Sequence, residues 1–358
     1  MESEKNFLPG PTMVRPEVLA QLARPIIGHR TPEFRELMAR INPALQRLFY
    51  TRHPVFSFTC TASAAMEAAL ANAGGRKILI LANGGFGERW GEAARKMGLK
   101  HELLKSAWGT NLDFDRARAK LRSGDFSSLV MVHGETSTGM QNLLVTLPGL
   151  FDECEDVLFI VDAVATLGGE YLRMDAWGID VLVGASQKCL ALPPGIVPIG
   201  VSARALERSR KSRRRGYAFN FTLWQERWAD GEVVGTPAIP QLLALDYQLS
   251  RIRAEPLFGR WARHSRMSKR TKEWARAHGW RPFAKAEPHL WSVSCLLPPR
   301  KQNTAPIVAA LRRRGYLVDD GYGQLKGLVL RIGHMGDWQE EDLEGLLGEL
   351  SEALPEAR

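Results

Sequence analysis

Two apolar runs, at residues 159–169 and 179–183, set the pattern of this chain. Both are rich in β-branched residues and give way to small and polar ones, which is typical of parallel strands buried on both faces of a sheet. The first run carries Asp162, and the second is followed by Lys188. We therefore predict that a carboxylate and an amine lie at the ends of neighbouring strands.

The same apolar pattern recurs upstream. Strands are predicted at residues 55–59, 77–82 and 127–133, and helices follow them from residue 64, at about 88–97 and at 146–155. Strands that alternate with helices predict an open, mostly parallel α/β sheet. Ligands of such sheets bind outside the carboxyl ends of the strands, which is where the small and polar clusters of this sequence fall.

The pattern changes after residue 201. Helices are predicted at about 241–253 and 255–277, and then strands and helices alternate over shorter distances to residue 354. A length of 358 residues suits two domains. We divide the chain into an N-terminal arm at 1–13, a large domain at 14–253 and a smaller α+β domain at 254–358.

Composition restricts the class of protein. A hydrophobic share of 45% and a charged share of 24% are those of an ordinary globular protein. No apolar run approaches the ~18 residues of a membrane helix, and the N-terminus lacks the features of a signal peptide. We therefore expect a cytoplasmic protein without a membrane partner. The scattered cysteines, Cys60, Cys154, Cys189 and Cys295, predict neither a disulfide framework nor a metal site.

Net charge is +9, and much of the excess lies between Arg204 and Arg215. No nucleic-acid fold signature surrounds this basic cluster, so we favour a solvated surface and expect no nucleic-acid partner. Attraction of anionic substrates is a second interpretation. A binding protein that uses the cluster for nucleic acid is a remote third one.

The pairing of Asp162 with Lys188 suits one kind of chemistry. A partly desolvated lysine has a lowered pKa and can form a Schiff base with an aldehyde. A buried carboxylate can keep a pyridine nitrogen protonated, and pyridoxal phosphate requires both groups. The pair alone is equally consistent with a turn aspartate and a surface lysine.

Other positions can complete such a site, although each has a structural alternative. The helix that begins near Ser63 offers backbone N–H groups to a phosphate, or Ser63 simply caps it. Phe86 stands among glycines and can stack on a ring or pack in the core. Arg331 on an apolar strand can hold a substrate carboxylate or form an internal salt bridge. His29 can touch substrate or another subunit.

Taken together, the segments resemble the fold-type I, class V pyridoxal-phosphate aminotransferases, in particular the serine–pyruvate, alanine–glyoxylate and serine–glyoxylate group. The resemblance implies an aspartate-aminotransferase-like fold, with a mostly parallel seven-stranded sheet flanked by helices and a smaller α+β domain. The matching segments span nearly the whole chain and are residues 8–12, 28–34, 64–68, 83–89, 133–139, 161–165, 184–188 and 330–336.

Roles for individual residues follow from the resemblance. It implies that Lys188 forms the Schiff base with the cofactor and that Asp162 pairs with the ring nitrogen. Phe86 takes the place of the stacking aromatic residue, and Ser137 lies near the phenolic oxygen. Substrate contacts are implied for Arg331, which matches the carboxylate-binding arginine, and for the loops that carry Gly10 and His29.

The phosphate site is also implied by the resemblance. Thr236 matches the place from which a neighbouring subunit completes this site, which implies a homodimer with shared active sites. Two departures bear on cofactor affinity: Ala62 stands where glycine is usual, and Val233 falls near the position of a phosphate-binding tyrosine in some relatives. The positions of the phosphate cup within the chain itself are Thr61, Ala62, Ser63 and Gln187.

The resemblance implies an enzyme that moves an amino group from a small amino acid, of the serine or alanine type, to a 2-oxo acid such as glyoxylate or pyruvate. A lyase or a cysteine desulfurase of the same fold is the alternative. Desulfurases need a cysteine in a mobile loop and usually stack a histidine on the ring. None of the cysteines stands in an obvious loop of that kind, and Phe86 is not a histidine.

Overall fold

The computed structural model describes residues 4–145, 149, 154 and 156–356, apart from the side chains of residues 355 and 356. Most of the helix predicted at 146–155 therefore lies outside the described residues. No helix in the described part has both the length and the apolar composition needed to cross a bilayer.

Most of the strands are short and fully buried. In chain order they are β1 (Lys5–Asn6), β2 (Val55–Thr59), β3 (Ile78–Ala82), β4 (His101–Lys105), β5 (Ser128–Val132), β6 (Gly134–Glu135), β7 (Met140–Gln141), β8 (Leu158–Asp162), β9 (Val181–Val183), β10 (Ile196–Val201), β11 (Arg281–Pro282), β12 (Val293–Leu297), β13 (Tyr316–Leu317) and β14 (Leu330–Gly333).

Helices cover both sides of the principal sheet and build much of the C-terminal region. In chain order they are α1 (Pro16–Ala20), α2 (Pro32–Phe49), α3 (Ala62–Ala73), α4 (Gly85–Lys96), α5 (Phe114–Leu121), α6 (Ala203–Lys211), α7 (Phe221–Ala229), α8 (Ile239–Ala254), α9 (Leu257–Ala277), α10 (Ala305–Arg313) and α11 (Glu340–Glu356).

A seven-stranded sheet in the order β2-β10-β9-β8-β5-β3-β4 forms the centre of the fold. Its strands run parallel except β10, which is antiparallel to both β2 and β9. All residues of β3, β5 and β8 are buried, because helices cover both faces of these central strands. The predicted mostly parallel sheet is confirmed, and β4 is a strand that the apolar pattern did not reveal.

Strands β8 and β9 are direct neighbours, as their patterns predicted. They pair in parallel, and Asp162 lies opposite Val183 at the carboxyl edge of the sheet. The chain continues from β9 through a short turn to Lys188. The prediction that these two residues follow neighbouring strands is therefore confirmed.

Two helices begin earlier than their sequence patterns indicated. Helix α3 begins at Ala62, and its N-cap is Thr61, whose hydroxyl accepts a hydrogen bond from the Ala64 amide at 3.3 Å. The interpretation of Ser63 as the cap was wrong, because Ala62 and Ser63 already belong to the helix. Helix α4 begins at Gly85, so Phe86 lies in its first turn.

Two large hydrophobic cores form. One extends from Val18 to Ile252 around the principal sheet, and the other combines residues 267–353 with Phe7 near the start of the chain. The Phe7 ring stacks on the Trp338 ring with centroids 4.2 Å apart, and β1 pairs in parallel with β13. The start of the chain thus packs on the C-terminal region. The domain boundaries at 13/14 and 253/254 stay predictions.

A buried guanidinium links the two regions. Arg260 donates to Glu255 at 2.8 Å and to Asp337 at 3.0 Å, and its other terminal nitrogen donates to the Cys189 carbonyl at 2.7 Å. Burial alone would raise the pKa of Asp337, but Arg260 and its neighbours hold that pKa below its usual value. A charged carboxylate beside a charged arginine therefore connects the segment after β14 to the residue that follows Lys188.

Candidate functional site

Asp162 ends β8 in a buried position with two hydrogen-bond donors. Its side chain is 4% exposed. The Trp90 indole donates to Oδ2 at 2.9 Å, and the Val164 amide donates to Oδ1 at 3.0 Å. Burial raises the pKa of Asp162 above its usual value, although both donors act in the opposite direction. The carboxylate is therefore oriented firmly, and a cationic or protonated partner would favour its charged form.

Lys188 lies in the turn after β9 and is half-buried. Its Nζ donates a hydrogen bond to the Pro9 carbonyl. Gly10 has a φ of +106°, and a Cβ added there would lie 2.4 Å from the Lys188 Cδ. Burial lowers the pKa of Lys188 to about 8, with a further lowering from the charge of Arg331. The N-terminal segment thus packs on an amine that is partly neutral near physiological pH, and glycine at position 10 suits both the positive φ and this close approach.

Phe86 and Trp90 lie one turn apart on α4 and face the same region. Trp90 binds Asp162, whereas the Phe86 ring stacks on Tyr322 with centroids 5.2 Å apart and planes 19° apart. Sequence reasoning missed Trp90, although its position four residues after Phe86 on a predicted helix was a signal. The role of Phe86 in stacking on a pyridine ring stays a prediction.

Ser137 belongs to a buried network around Glu135. The Ser137 hydroxyl donates to Glu135 Oε1 at 2.6 Å and accepts from the Gly85 amide at 2.9 Å. The other carboxylate oxygen accepts from the Phe86 and Gly87 amides at 3.0 and 3.1 Å. Burial raises the pKa of Glu135 against the effect of these donors.

Glu135 thereby holds the beginning of α4 and fixes Phe86. Asp or Glu side chains stabilise helix N-termini, which explains why α4 begins at Gly85. Sequence reasoning did not select this glutamate. Its signal was an acidic residue inside an otherwise neutral, apolar and hydroxyl-rich segment at a strand end. The contact of Ser137 with a phenolic oxygen stays a prediction, since its hydroxyl here serves the Glu135 network.

The phosphate-cup positions gather at the N-terminus of α3 and in the turn before Lys188. Thr61 and Ser63 are exposed, Ala62 is half-buried, and the Gln187 carbonyl accepts from the Thr12 amide at 3.1 Å. The first backbone N–H groups of a twelve-residue helix suit an anion.

Three further sequence candidates have no hydrogen bond to Lys188 among the described residues. Thr236 is exposed in the segment before α8, and His29 is half-buried in the turn before α2. Within the described ranges, no hydrogen bond joins either side chain to Asp162 or Lys188. Val233 is buried in the larger core and offers no polar group.

Arg331 forms the internal salt bridge that was one of its two interpretations. The side chain is 6% exposed, its Nε donates to Asp319 Oδ1 at 2.7 Å, and Nη1 donates to the Thr136 carbonyl at 3.0 Å. Neither contact uses Nη2. A substrate carboxylate can therefore still bind to this guanidinium, and that role stays a prediction.

The cysteines and the basic cluster lie outside this arrangement or are inert within it. Burial raises the pKa of Cys60, Cys189 and Cys295 to about 12, so these thiols are protonated at neutral pH.

In the basic cluster, Arg208 donates to the Ser127 and Asp156 carbonyls. These carbonyls precede β5 and β8, so the cluster lies at the edge of the sheet opposite to Asp162.

The arrangement suits pyridoxal phosphate. It offers an amine of lowered pKa, a buried carboxylate at the adjacent strand end, an aromatic ring on α4 and an exposed helix N-terminus. These are the groups that bind the aldehyde, the ring nitrogen, the ring face and the phosphate of this cofactor.

Replacement of Trp90 by Phe tests the support of Asp162. The variant keeps the aromatic ring but loses the donor at 2.9 Å, which favours the charged carboxylate. We expect the free energy of unfolding to fall by about 1–2 kcal/mol. The pKa of Asp162 should rise further, so on acidification the spectrum of added pyridoxal phosphate should change at a higher pH than in the wild type.

Trp274→Phe is the matched control, because it loses a comparable hydrogen bond to Ser351 at 2.9 Å in the C-terminal region. It should lower stability in urea unfolding without moving the pH at which the spectrum changes. Equal pH midpoints for Trp90→Phe and the wild type would contradict the support of Asp162 by Trp90.

The pKa of Lys188 predicts the pH dependence of cofactor attachment. Only the neutral amine attacks an aldehyde, and it dominates above a pKa of about 8. The rate at which the cofactor-free protein combines with pyridoxal phosphate should therefore rise with pH and level off above about 8. Stopped-flow absorbance measures this rate, with Lys188→Ala as the control that shows no such reaction. A midpoint near the ordinary lysine value would contradict the desolvation of Lys188.

Comparison with known proteins agrees with this geometry. The chain is 32% identical over 98% of its length to an aminotransferase of Methanocaldococcus jannaschii, covering 92% of that protein. It is 31% identical to the L-aspartate–glyoxylate aminotransferase of Paracoccus denitrificans, with 92% of this chain and 86% of the relative covered. The crystal structure of an alanine–glyoxylate aminotransferase from Nostoc superimposes with a TM-score of 0.93 at 30% identity, covering 99% of this chain and 96% of that one.

The family described as aminotransferase class-V matches residues 18–274. The fold-type I architecture expected from the sequence is confirmed by the solved neighbours. Enzymes of this class and fold depend on pyridoxal phosphate, as this chain does. The desulfurase alternative is not favoured, since a solved cysteine desulfurase from Thermococcus onnurineus is only 16% identical and shares the fold alone. The chain therefore belongs to the class V aminotransferases.

Proposed function

We propose that the enzyme transfers the amino group of a small amino acid, of the serine or alanine type, to glyoxylate, with pyruvate as a second acceptor. The observation that carries the proposal is the placement of Asp162 and Lys188 at adjacent strand ends with opposite pKa shifts. Serine–glyoxylate aminotransferase of Hyphomicrobium methylovorum is 30% identical over 95% of this chain. Glyoxylate recurs as the acceptor in the names of several relatives, whereas the donor differs among them.

Pyridoxal phosphate, when bound, supplies an aldehyde that takes up the amino group and a ring that holds the electron pair released at the donor Cα. We assign the proton transfer at that Cα to Lys188, which can act as base and then as acid because its pKa lies near 8. Asp162 holds the proton of the ring nitrogen, and the Trp90 indole keeps its carboxylate in place.

The remaining roles concern position. Arg331 binds the donor carboxylate through the nitrogen that its internal contacts do not use. Phe86 would stack on the cofactor ring, and the Glu135 network, which includes Ser137, holds the backbone that carries Phe86. Gly10 and His29 border the substrate. The phosphate would be held by the N-terminus of α3, by Thr61, Ala62, Ser63 and Gln187, and by Thr236 of a second subunit.

We further propose a cytoplasmic homodimer. Thr236 is exposed in the single chain, and so is Ile26, with 72% of its surface accessible, three residues before His29. A second subunit that covers Ile26 would remove this apolar side chain from water. Its Thr236 would complete the phosphate site.

Transamination is tested directly with the purified enzyme and pyridoxal phosphate. L-Serine and L-alanine should each convert glyoxylate to glycine, and the corresponding 2-oxo acid should form in equal amount. Lys188→Ala should lower kcat by about 10²- to 10⁴-fold, because the proton-transfer group is lost. It should also lose the absorbance of the lysine-bound cofactor.

Lys105→Ala serves as the control, since this exposed lysine pairs with Glu88 at 2.9 Å. It should retain both the absorbance and the activity. A Lys188→Ala variant with wild-type turnover, or a wild type that forms no glycine from any amino acid of a broad panel, would reject the proposal.

The dimer is tested by sedimentation equilibrium. The wild type should have twice the 39.9 kDa mass of the chain at micromolar concentration. Ile26→Glu places a charge on the proposed contact and should shift the equilibrium toward the single chain, whereas Ile26→Val keeps the apolar surface and should not. A mass of 39.9 kDa for the wild type at every concentration would contradict the dimer.

A further inference from the structure

Arg89 is a half-buried cation beside the proposed ring site. It lies on α4 three residues after Phe86, and its Cζ is 4.7 Å from the centroid of the Phe86 ring. Its Nη2 donates to the Tyr322 hydroxyl at 2.6 Å. Among the described residues, no carboxylate forms an ion pair with Arg89. The guanidinium is therefore hydrogen-bonded to a neutral partner, although the Arg89 charge also acts to lower the pKa of Asp162.

Tyr322 fixes the spacing between Arg89 and the proposed carboxylate-binding arginine. The Cζ atoms of Arg89 and Arg331 lie 5.7 Å and 5.8 Å from the centroid of its ring. The ring itself is fixed by stacking on Phe86. Tyr322 comes from the C-terminal region and Arg89 from the large sheet region, so both guanidinium groups lie near this ring only in the folded chain.

The two arginines differ in how their charge is balanced. Arg331 already pairs with Asp319 at 2.7 Å, whereas among the described residues Arg89 forms no ion pair, and its guanidinium donates to the Tyr322 phenol. Both lie close enough to Lys188 for their charges to lower its pKa, after the larger effect of burial. A partly desolvated guanidinium without an anion is unfavourable, and a carboxylate is the planar group that fits its donors.

We propose that Arg89, oriented by the Tyr322 hydroxyl, binds a second carboxylate of the amino donor, so that the site favours amino acids with an acidic side chain of the aspartate class. This inference rests on the proposed function and extends its donors. Arg331 takes the carboxylate attached to Cα, which every donor has. Arg89 takes the side-chain carboxylate, which alanine and serine lack, and so it discriminates among donors.

The test compares L-aspartate with L-alanine as donors to glyoxylate in the holoenzyme. A charge-assisted hydrogen bond contributes about 1.5–3 kcal/mol, which corresponds to roughly 10- to 100-fold in kcat/KM. Arg89→Gln should lower the aspartate-to-alanine ratio of kcat/KM by that factor, because the effect of the lost charge on Lys188 is common to both donors and cancels in the ratio. Tyr322→Phe should lower the aspartate-to-alanine ratio in the same direction, by about 3- to 10-fold, because Arg89 loses its orienting partner.

Arg95→Gln is the matched control. This arginine lies on the same helix, is exposed and pairs with Glu92 at 2.7 Å. It should leave the ratio unchanged. Arg89→Lys keeps the charge without the planar fork and should retain part of the preference. An unchanged ratio in Arg89→Gln, or equal losses for both donors, would overturn the assignment.

Binding of unreactive acids separates this inference from the proposed reaction. Succinate carries two carboxylates and butyrate one, and calorimetric titration of the holoenzyme measures both without turnover. Arg89→Gln should weaken succinate binding by about 10-fold or more and leave butyrate binding unchanged. If the wild type forms glycine from alanine but succinate binding does not depend on Arg89, only the assignment of Arg89 fails. If no donor reacts and succinate binding still depends on Arg89, the proposed reaction fails and the second carboxylate site stands.

Discussion

Desolvation at the carboxyl edge of the sheet is the constraint on which the site depends. Strands β8 and β9 are buried on both faces, and their parallel pairing brings Asp162 and the turn of Lys188 to the same edge. Burial raises the pKa of the carboxylate and lowers that of the amine, so it disfavours the charged form of each. The lowered pKa of the amine and the raised pKa of the carboxylate are both results of this burial.

Helix α4 brings several functions to one face. Its first turn carries Phe86, the next positions carry Arg89 and Trp90, and the Glu135 carboxylate holds the backbone at its start. The ring proposed for stacking, the hydrogen-bond donor to Asp162 and the cation proposed to bind a second carboxylate therefore share one helix. A shift of this helix would displace all three groups at once. The fully buried Glu135 opposes such a shift, because its carboxylate accepts hydrogen bonds from the backbone at the helix N-terminus.

The sequence predicted the parts of the structure that depend on local pattern. Buried parallel strands appear as continuous apolar runs, so the sheet and the adjacency of Asp162 and Lys188 could be predicted from residues near each other in the chain. Trp90 and Tyr322 could not be assigned in this way. Their partners, Asp162 and Arg89, lie 72 and 233 residues away along the chain. Contacts of that kind are determined by tertiary packing, and no periodicity encodes them.

The same reasoning explains the difference over α3. An alanine-rich stretch has high helix propensity, so the helix extends to Ala62 and Thr61 becomes its cap. A hydroxyl residue does cap this helix, but it is Thr61 and not Ser63, because the helix begins at Ala62.

The hydrogen bonds of Arg260 constrain motion between the two hydrophobic cores. Its guanidinium bonds the Cys189 carbonyl, next to Lys188, and the Asp337 carboxylate, six residues beyond Arg331. The segments that carry Lys188 and Arg331 are thus both bonded to one buried cation on a third element, α9. If these hydrogen bonds persist, a hinge motion between the two cores either rotates about the Arg260 guanidinium or moves Lys188 together with it.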